Sequence, residues 1–169
     1  MKIVNLGVSE LDRNLGGGIP HPSLASIEGE RGSGKTIFVQ QMVHAMLESG
    51  LRVFVISSEA TAREFLSMME SVRLNAYDYH LSGQLNIYPL HVEGGRWSEV
   101  LSSFFLRVLA DFLEVKKKSY DAVAIDSPSV MTVRTPPHEF MTFITRIKNL
   151  VSDRRTVVVT FHPESCLKI

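Results

Sequence analysis

Four stretches of the chain are short, β-branched and almost continuously apolar: Leu24-Ala25-Ser26-Ile27, Arg52-Val53-Phe54-Val55-Ile56, Ala122-Val123-Ala124-Ile125 and Thr156-Val157-Val158-Val159-Thr160-Phe161. Runs of this kind predict parallel strands buried on both faces. A fifth, Leu85-Asn86-Ile87-Tyr88-Pro89-Leu90, holds an internal proline that cannot donate to a ladder, which makes it an edge strand. Between the strands the period changes to that of helices. Lys35 to Ser49 stops at Gly50, a C-terminal cap. Thr61-Ala62-Arg63-Glu64 is a capping box that starts a helix running towards Val72. Trp97 to Val115 carries Val100, Phe104, Val108 and Phe112 at four-residue steps, which predicts one apolar face. Pro136-Pro137 opens a last helix through Phe140, Phe143, Ile147 and Leu150 to Arg154-Arg155. Lys116-Lys117-Lys118 reads as a solvated helix end whose charge suits the macrodipole.

Strand–helix alternation predicts an α/β fold, a mostly parallel central sheet with helices on both faces. The 169 residues accommodate one domain with a real core, and there is no internal repeat or linker. With 44% hydrophobic and 21% charged residues the chain falls outside the disordered, collagen-like and coiled-coil classes. No apolar run reaches the ~18 residues of a membrane span. The residues before Leu11-Asp12 are too short and polar for a signal peptide. The single cysteine, Cys166, excludes an internal disulfide and a multi-cysteine metal cluster, and points to a reducing cytoplasm. Eighteen Lys and Arg balance eighteen Asp and Glu, so nucleic acid is not the expected partner, because phosphate-driven binding favours a basic domain.

The chemistry is concentrated in Gly29-Glu30-Arg31-Gly32-Ser33-Gly34-Lys35-Thr36, which follows a strand, opens a helix and fits the phosphate-loop pattern G-x-x-x-x-G-K-[ST]. The glycines let consecutive N–H groups turn inward onto phosphate oxygens, and the helix adds its positive end. Lys35 is expected to reach the β- and γ-phosphates of a nucleotide, and the Thr36 hydroxyl to bind Mg²⁺. Asp126 closes the apolar run of the 122–125 strand, as an aspartate in the Mg²⁺ shell does; the same placement suits a turn residue ahead of Ser127-Pro128. Glu59 lies just past the strand ending at Ile56, where a carboxylate polarises the water attacking a γ-phosphate, or simply favours a helix N-terminus. His162, after the last strand, can sense the γ-phosphate or sit in an ordinary strand exit. His21, His44, His80, His91 and His138 show no metal-ligand spacing.

Leu11-Asp12-Arg13-Asn14-Leu15-Gly16-Gly17-Gly18-Ile19-Pro20, the phosphate loop and Ser58-Glu59 together resemble the RecA/RadA/KaiC superfamily of ring-forming ATPases. Within it, Gly18-Ile19-Pro20-His21-Pro22-Ser23, Leu81-Ser82-Gly83-Gln84-Leu85-Asn86-Ile87-Tyr88, Asp126-Ser127-Pro128-Ser129 and Thr160-Phe161-His162-Pro163 resemble the FlaH family of archaellum (archaeal flagellum) accessory proteins, over essentially the whole chain. The resemblance implies one RecA/KaiC-like ATP-binding domain over residues 1–169, binding ATP and Mg²⁺ and forming a hexameric ring. It also implies a nucleotide-dependent regulator of the archaellum motor that docks on the motor ATPase FlaI and the membrane platform, cytoplasmic and peripheral to that complex. In the family Glu59 matches the water-activating glutamate, which leaves both binding alone and weak hydrolysis open. Ala60 stands where KaiC proteins commonly carry a second glutamate, which weakens the case for phosphotransfer. The alternatives are a RadA-like ATPase of DNA recombination, disfavoured by the balanced charge and by Arg134 as the lone cation among Lys and Arg in 127–139, and a KaiC-like autokinase. RecA-like sheets usually add a further strand beside the phosphate-loop strand. That later region donates basic residues to the neighbouring subunit, and the chain reads as most of such a domain without its closing part.

Overall fold

The computed structural model describes residues 2–90, 98–132 and 134–163. Trp97, at the expected helix start, His91, Cys166 and Ile169 lie outside them. The elements in chain order are β1 (Lys2–Val4), α1 (Ser9–Asn14), β2 (Ile19–His21), β3 (Leu24–Glu28), α2 (Lys35–Glu48), β4 (Val53–Ser57), α3 (Ala62–Ser71) and α4 (Tyr77–Leu81). There follow β5 (Leu85–Pro89), α5 (Glu99–Val115), β6 (Ala122–Asp126), α6 (Ser129–Thr132), α7 (Pro137–Ser152) and β7 (Thr156–Phe161). Five strands form a parallel sheet in the order β3-β7-β6-β4-β5. The proline-bearing β5 is an edge strand, as its sequence requires.

Alternation of side chains sorts the sheet into two cores. On one face Val39, Met42, Val43 and Met46 of α2 and Phe65, Leu66 and Met69 of α3 cover Val53, Val55, Leu85, Ile87, Ala122, Ala124 and Val158. On the other, Leu106, Leu109, Ala110 and Leu113 of α5 and Phe140, Phe143, Ile147 and Leu150 of α7 cover Phe54, Ile56, Val123, Ile125, Val157, Val159 and Phe161. The Thr61–Glu64 capping box forms at the start of α3, and Gly50 takes φ 82 just past α2. Lys117, in the lysine run, pairs with Asp153 at 2.7 Å.

Two expectations need correction. The stripe Val100, Phe104 and Val108 does not face the core: these residues are 80%, 56% and 43% exposed, and only Phe112 of that set is partly buried. At 100° per residue the stripe and the buried Leu106, Leu109, Ala110 and Leu113 lie on opposite sides of α5. The helix turns inward the side where small residues, Ser102, Ser103 and Ala110, accompany the leucines; two serines hid that face in the hydrophobic pattern. Val100→Ser is therefore expected to change urea stability by less than about 0.5 kcal/mol, whereas Leu106→Ala is expected to cost about 2–5 kcal/mol. Equal losses would mean that α5 is rotated. The second correction concerns β3, which is not buried on both faces. Among the described residues it is the other edge strand; Ala25 and Ile27 pack on the α2 side, but Leu24 is 41% exposed and Ser26 and Glu28 are exposed.

An additional unit precedes the sheet. β1 and β2 pair antiparallel, Val4 opposite Ile19. The buried Asp12 of α1 accepts the N–H groups of Leu6 and Val8 at 2.8 and 3.1 Å, while its carbonyl accepts that of Gly17 at 2.6 Å. Gln41 of α2 donates to the Leu6 carbonyl at 2.5 Å. The Leu11–Pro20 segment is thus a clamp that ties the N-terminal hairpin to the helix following the phosphate loop.

Candidate functional site

Parallel α/β sheets collect their ligand-binding loops at the carboxyl ends of the strands. Here those ends bring the phosphate loop after β3, Asp126 at the tip of β6, Glu59 past β4 and His162 past β7 around one cleft. Arg31, Gly32, Gly34, Lys35, Thr36, Glu59, Asp126 and His162 line it, together with Ile37 and Ser127. Its volume is about 530 Å³, within the range of small-molecule sites. Gly29, Glu30 and Ser33 build the loop behind that lining.

The loop's shape follows from its glycines. Gly32 and Gly34 take φ 74 and 86, a region costly for other residues. A Cβ at Gly29 would stand 2.6 Å from the Ser33 Oγ, so that hydroxyl would have to rotate aside. Gly34 is the N-cap of the 14-residue α2, whose positive end opens into the cleft. Lys35 Nζ donates to the carbonyls of Gly29 and Glu30, both at 2.6 Å, and lies 3.3 Å from His162 Nδ1. The ammonium is held over the loop, where a phosphate oxygen would exchange with those carbonyls.

Asp126, 3% exposed, lines the same cleft, close enough for the Lys35 charge to act on it. Burial pushes its carboxyl above the usual carboxylate range, hydrogen bonds from Thr160 and Thr36 pull it back, and the charge of Glu59 raises it again. A carboxylate and the Thr36 hydroxyl beside it are the hard oxygen donors that suit Mg²⁺. A cation there would relieve the crowding of two carboxylates, so the residues present fit the ion. Thr36 and Asp126 would hold it, and bound there it would neutralise charge on the phosphates.

Three residues that the sequence pattern places only within longer motifs, with no individual role, complete the arrangement. Thr160, fully buried, bonds Asp126 Oδ1 at 3.1 Å. Ser127 donates its hydroxyl to Glu59 Oε1 at 2.7 Å, and Ser58 donates its own to the Ser127 carbonyl at 2.5 Å. Thr160 carried a signal, a polar residue inside an apolar strand. Ser127 carried only adjacency to Asp126.

Comparisons with known proteins identify the family and the fold. A family model described as "ATPase: KaiC" matches residues 4–164. The archaeal flagellar ATP-binding protein FlaH of Sulfolobus acidocaldarius is 31% identical over 163 residues, which span 96% of this chain and 70% of that protein. The protein of the same name from Methanocaldococcus jannaschii is 28% identical over 168 residues, 95% of this chain and 68% of that one. The crystal structure of flagellar accessory protein FlaH from Methanocaldococcus jannaschii superposes with a TM-score of 0.76 at 24% identity, covering 97% of this chain and 72% of that one. That superposition carries the RecA-like fold.

Proposed function

From a chain that belongs to the KaiC family of ATPases and is homologous to FlaH proteins, we propose an ATP-binding regulatory protein of the archaeal flagellum motor. One observation carries the nucleotide part: a phosphate loop whose Lys35 is poised over the loop carbonyls while Thr36 and Asp126 meet in the same cleft. The archaellum part rests on the relatives named FlaH, matched along 96% of this chain in one case.

In this reading residues 1–169 are one RecA/KaiC-like domain. Gly29 to Gly34 wrap the phosphates with backbone N–H groups, Lys35 neutralises their charge, and His162 stands where a γ-phosphate arrives. Glu59 is the residue that takes a proton from attacking water if hydrolysis occurs. A γ-phosphate touching loops from β3, β4, β6 and β7 at once would order that end of the sheet. This supports a switch whose docking surface depends on nucleotide state. The partners are the motor ATPase FlaI and the membrane platform, the assembly is a hexameric ring, and the place is cytoplasmic beside the membrane. Among the described residues no helix is long and apolar enough to cross a membrane.

The test is co-migration with FlaI on size exclusion with light scattering, using MgATP, MgADP or no nucleotide. A complex formed at least ten times more tightly with MgATP is expected, stabilised further by Glu59→Gln. Equal association without nucleotide overturns the switch. Turnover that rises with single-stranded DNA and falls with salt would instead support the RadA-like ATPase.

A further inference from the structure

Glu59 is exposed within the loop between β4 and α3, and a free glutamate side chain samples many rotamers. A group that must meet one water needs to be held. The only hydrogen bond to its carboxylate among the described residues comes from the Ser127 hydroxyl, at 2.7 Å to Oε1. Ser127 is itself buried and held by two further hydrogen bonds. Its N–H donates to Thr160 Oγ1 at 2.6 Å, its carbonyl accepts from Ser58 Oγ at 2.5 Å, and the residue is 4% exposed. Its φ of 57 is left-handed, unusual for serine. That backbone turn lets the residue after Asp126 send its N–H to β7 and its hydroxyl across to the loop after β4.

We propose that Ser127 is the positioning residue for Glu59: its hydroxyl anchors Oε1 and so directs the carboxylate, with Oε2 free of other partners among the described residues, into the cleft that Glu59 lines. The bonds Thr160–Asp126 and Thr160–Ser127 give this anchor and the Mg²⁺-holding carboxylate a common support. Water activation and phosphate binding therefore depend on different residues. Gly29 to Thr36 set nucleotide affinity, and Ser127 sets how often Glu59 is aligned. This rests on the nucleotide-site reading above.

The experiment measures ATP affinity, by competition with a fluorescent ATP analogue, and phosphate release for the wild type, Glu59→Gln, Ser127→Ala, Ser127→Gly and Ser127→Gly/Glu59→Gln. Ser127→Gly removes the hydroxyl while relieving the left-handed backbone, so it keeps a folded comparison if Ser127→Ala does not fold. Turnover is expected to fall about 10- to 100-fold in either Ser127 variant, as for a misplaced catalytic group, with ATP affinity unchanged within twofold. No further loss is expected once Glu59 is already Gln. Three results overturn the proposal: turnover equal to the wild type, the same fold-loss in the Glu59→Gln background, or a tenfold weaker affinity, which would make Ser127 a nucleotide contact. Wild-type turnover no faster than Glu59→Gln also overturns it, since Glu59 would then have no task to be positioned for. Failure of the nucleotide reading looks different: no ATP binding by the wild type, or equal binding by Lys35→Ala.

Discussion

Lys35→Ala is expected to abolish measurable MgATP binding. Among the described residues Lys35 supplies the one ammonium over the phosphate loop, and its donors already point at loop carbonyls 2.6 Å away. Hydrogen bonds to charged groups contribute about 1.5–3 kcal/mol each. Losing contacts to two phosphates, about 3–6 kcal/mol, therefore weakens binding by roughly two to four orders of magnitude. The thermal readout separates this from a folding defect. At about 100 times Kd, MgATP adds about 2.7 kcal/mol to the wild type, a rise of roughly 5–10 °C for a chain of this size. The variant should melt close to the wild type without nucleotide and show no shift with it. An equal shift in both proteins would remove the phosphate loop from the nucleotide site.

Gly18→Ala should cost nearly as much, far from the cleft. A Cβ at Gly18 would lie 2.1 Å from the Val4 carbonyl oxygen, 2.7 Å from its carbon and 2.9 Å from Asn5 Cα. All three are backbone atoms and cannot rotate aside, and Gly18 also sits at φ 134. Left-handed strain of about 1–2 kcal/mol plus overpacking of about 1–3 kcal/mol gives a loss of roughly 2–5 kcal/mol. That is a large share of the stability of an ordinary domain. Gly16→Ala is the control. Its φ of 72 carries the strain, but nothing lies within 4 Å of the added carbon, so urea unfolding should show about 1–2 kcal/mol. Similar losses for the two would mean that β1 does not pack against the Gly18 turn.

Much of this was legible because local rules and the fold agree. The apolar runs at 53–57, 122–126 and 156–161 are strands in the middle of the sheet because nothing but continuous burial tolerates them. Pro89 kept β5 at an edge, and Thr61 with Glu64 started α3 where the capping box stands. The β1–β2 pair was missed because three-residue strands leave no periodicity to read. The glycines of Gly16-Gly17-Gly18 carried a family resemblance but not its reason, which is a backbone oxygen from a segment fourteen residues earlier.

The sequence by itself determined the chemistry of the phosphate loop, since Gly29 to Thr36 are contiguous and their conformation follows from glycine and the helix they open. It also determined the strand ends at which Asp126, Glu59 and His162 stand, because an apolar run stops where polar residues begin. Which side of α5 is buried was decided only in three dimensions, by what the small residues Ser102, Ser103 and Ala110 allow to approach. So was the exposure of β3, which depends on its place at the sheet's edge. The link from Ser127 to Glu59 belongs to the same class. It joins residues 68 positions apart, and a hydrogen bond across two strand ends leaves no local pattern in either segment.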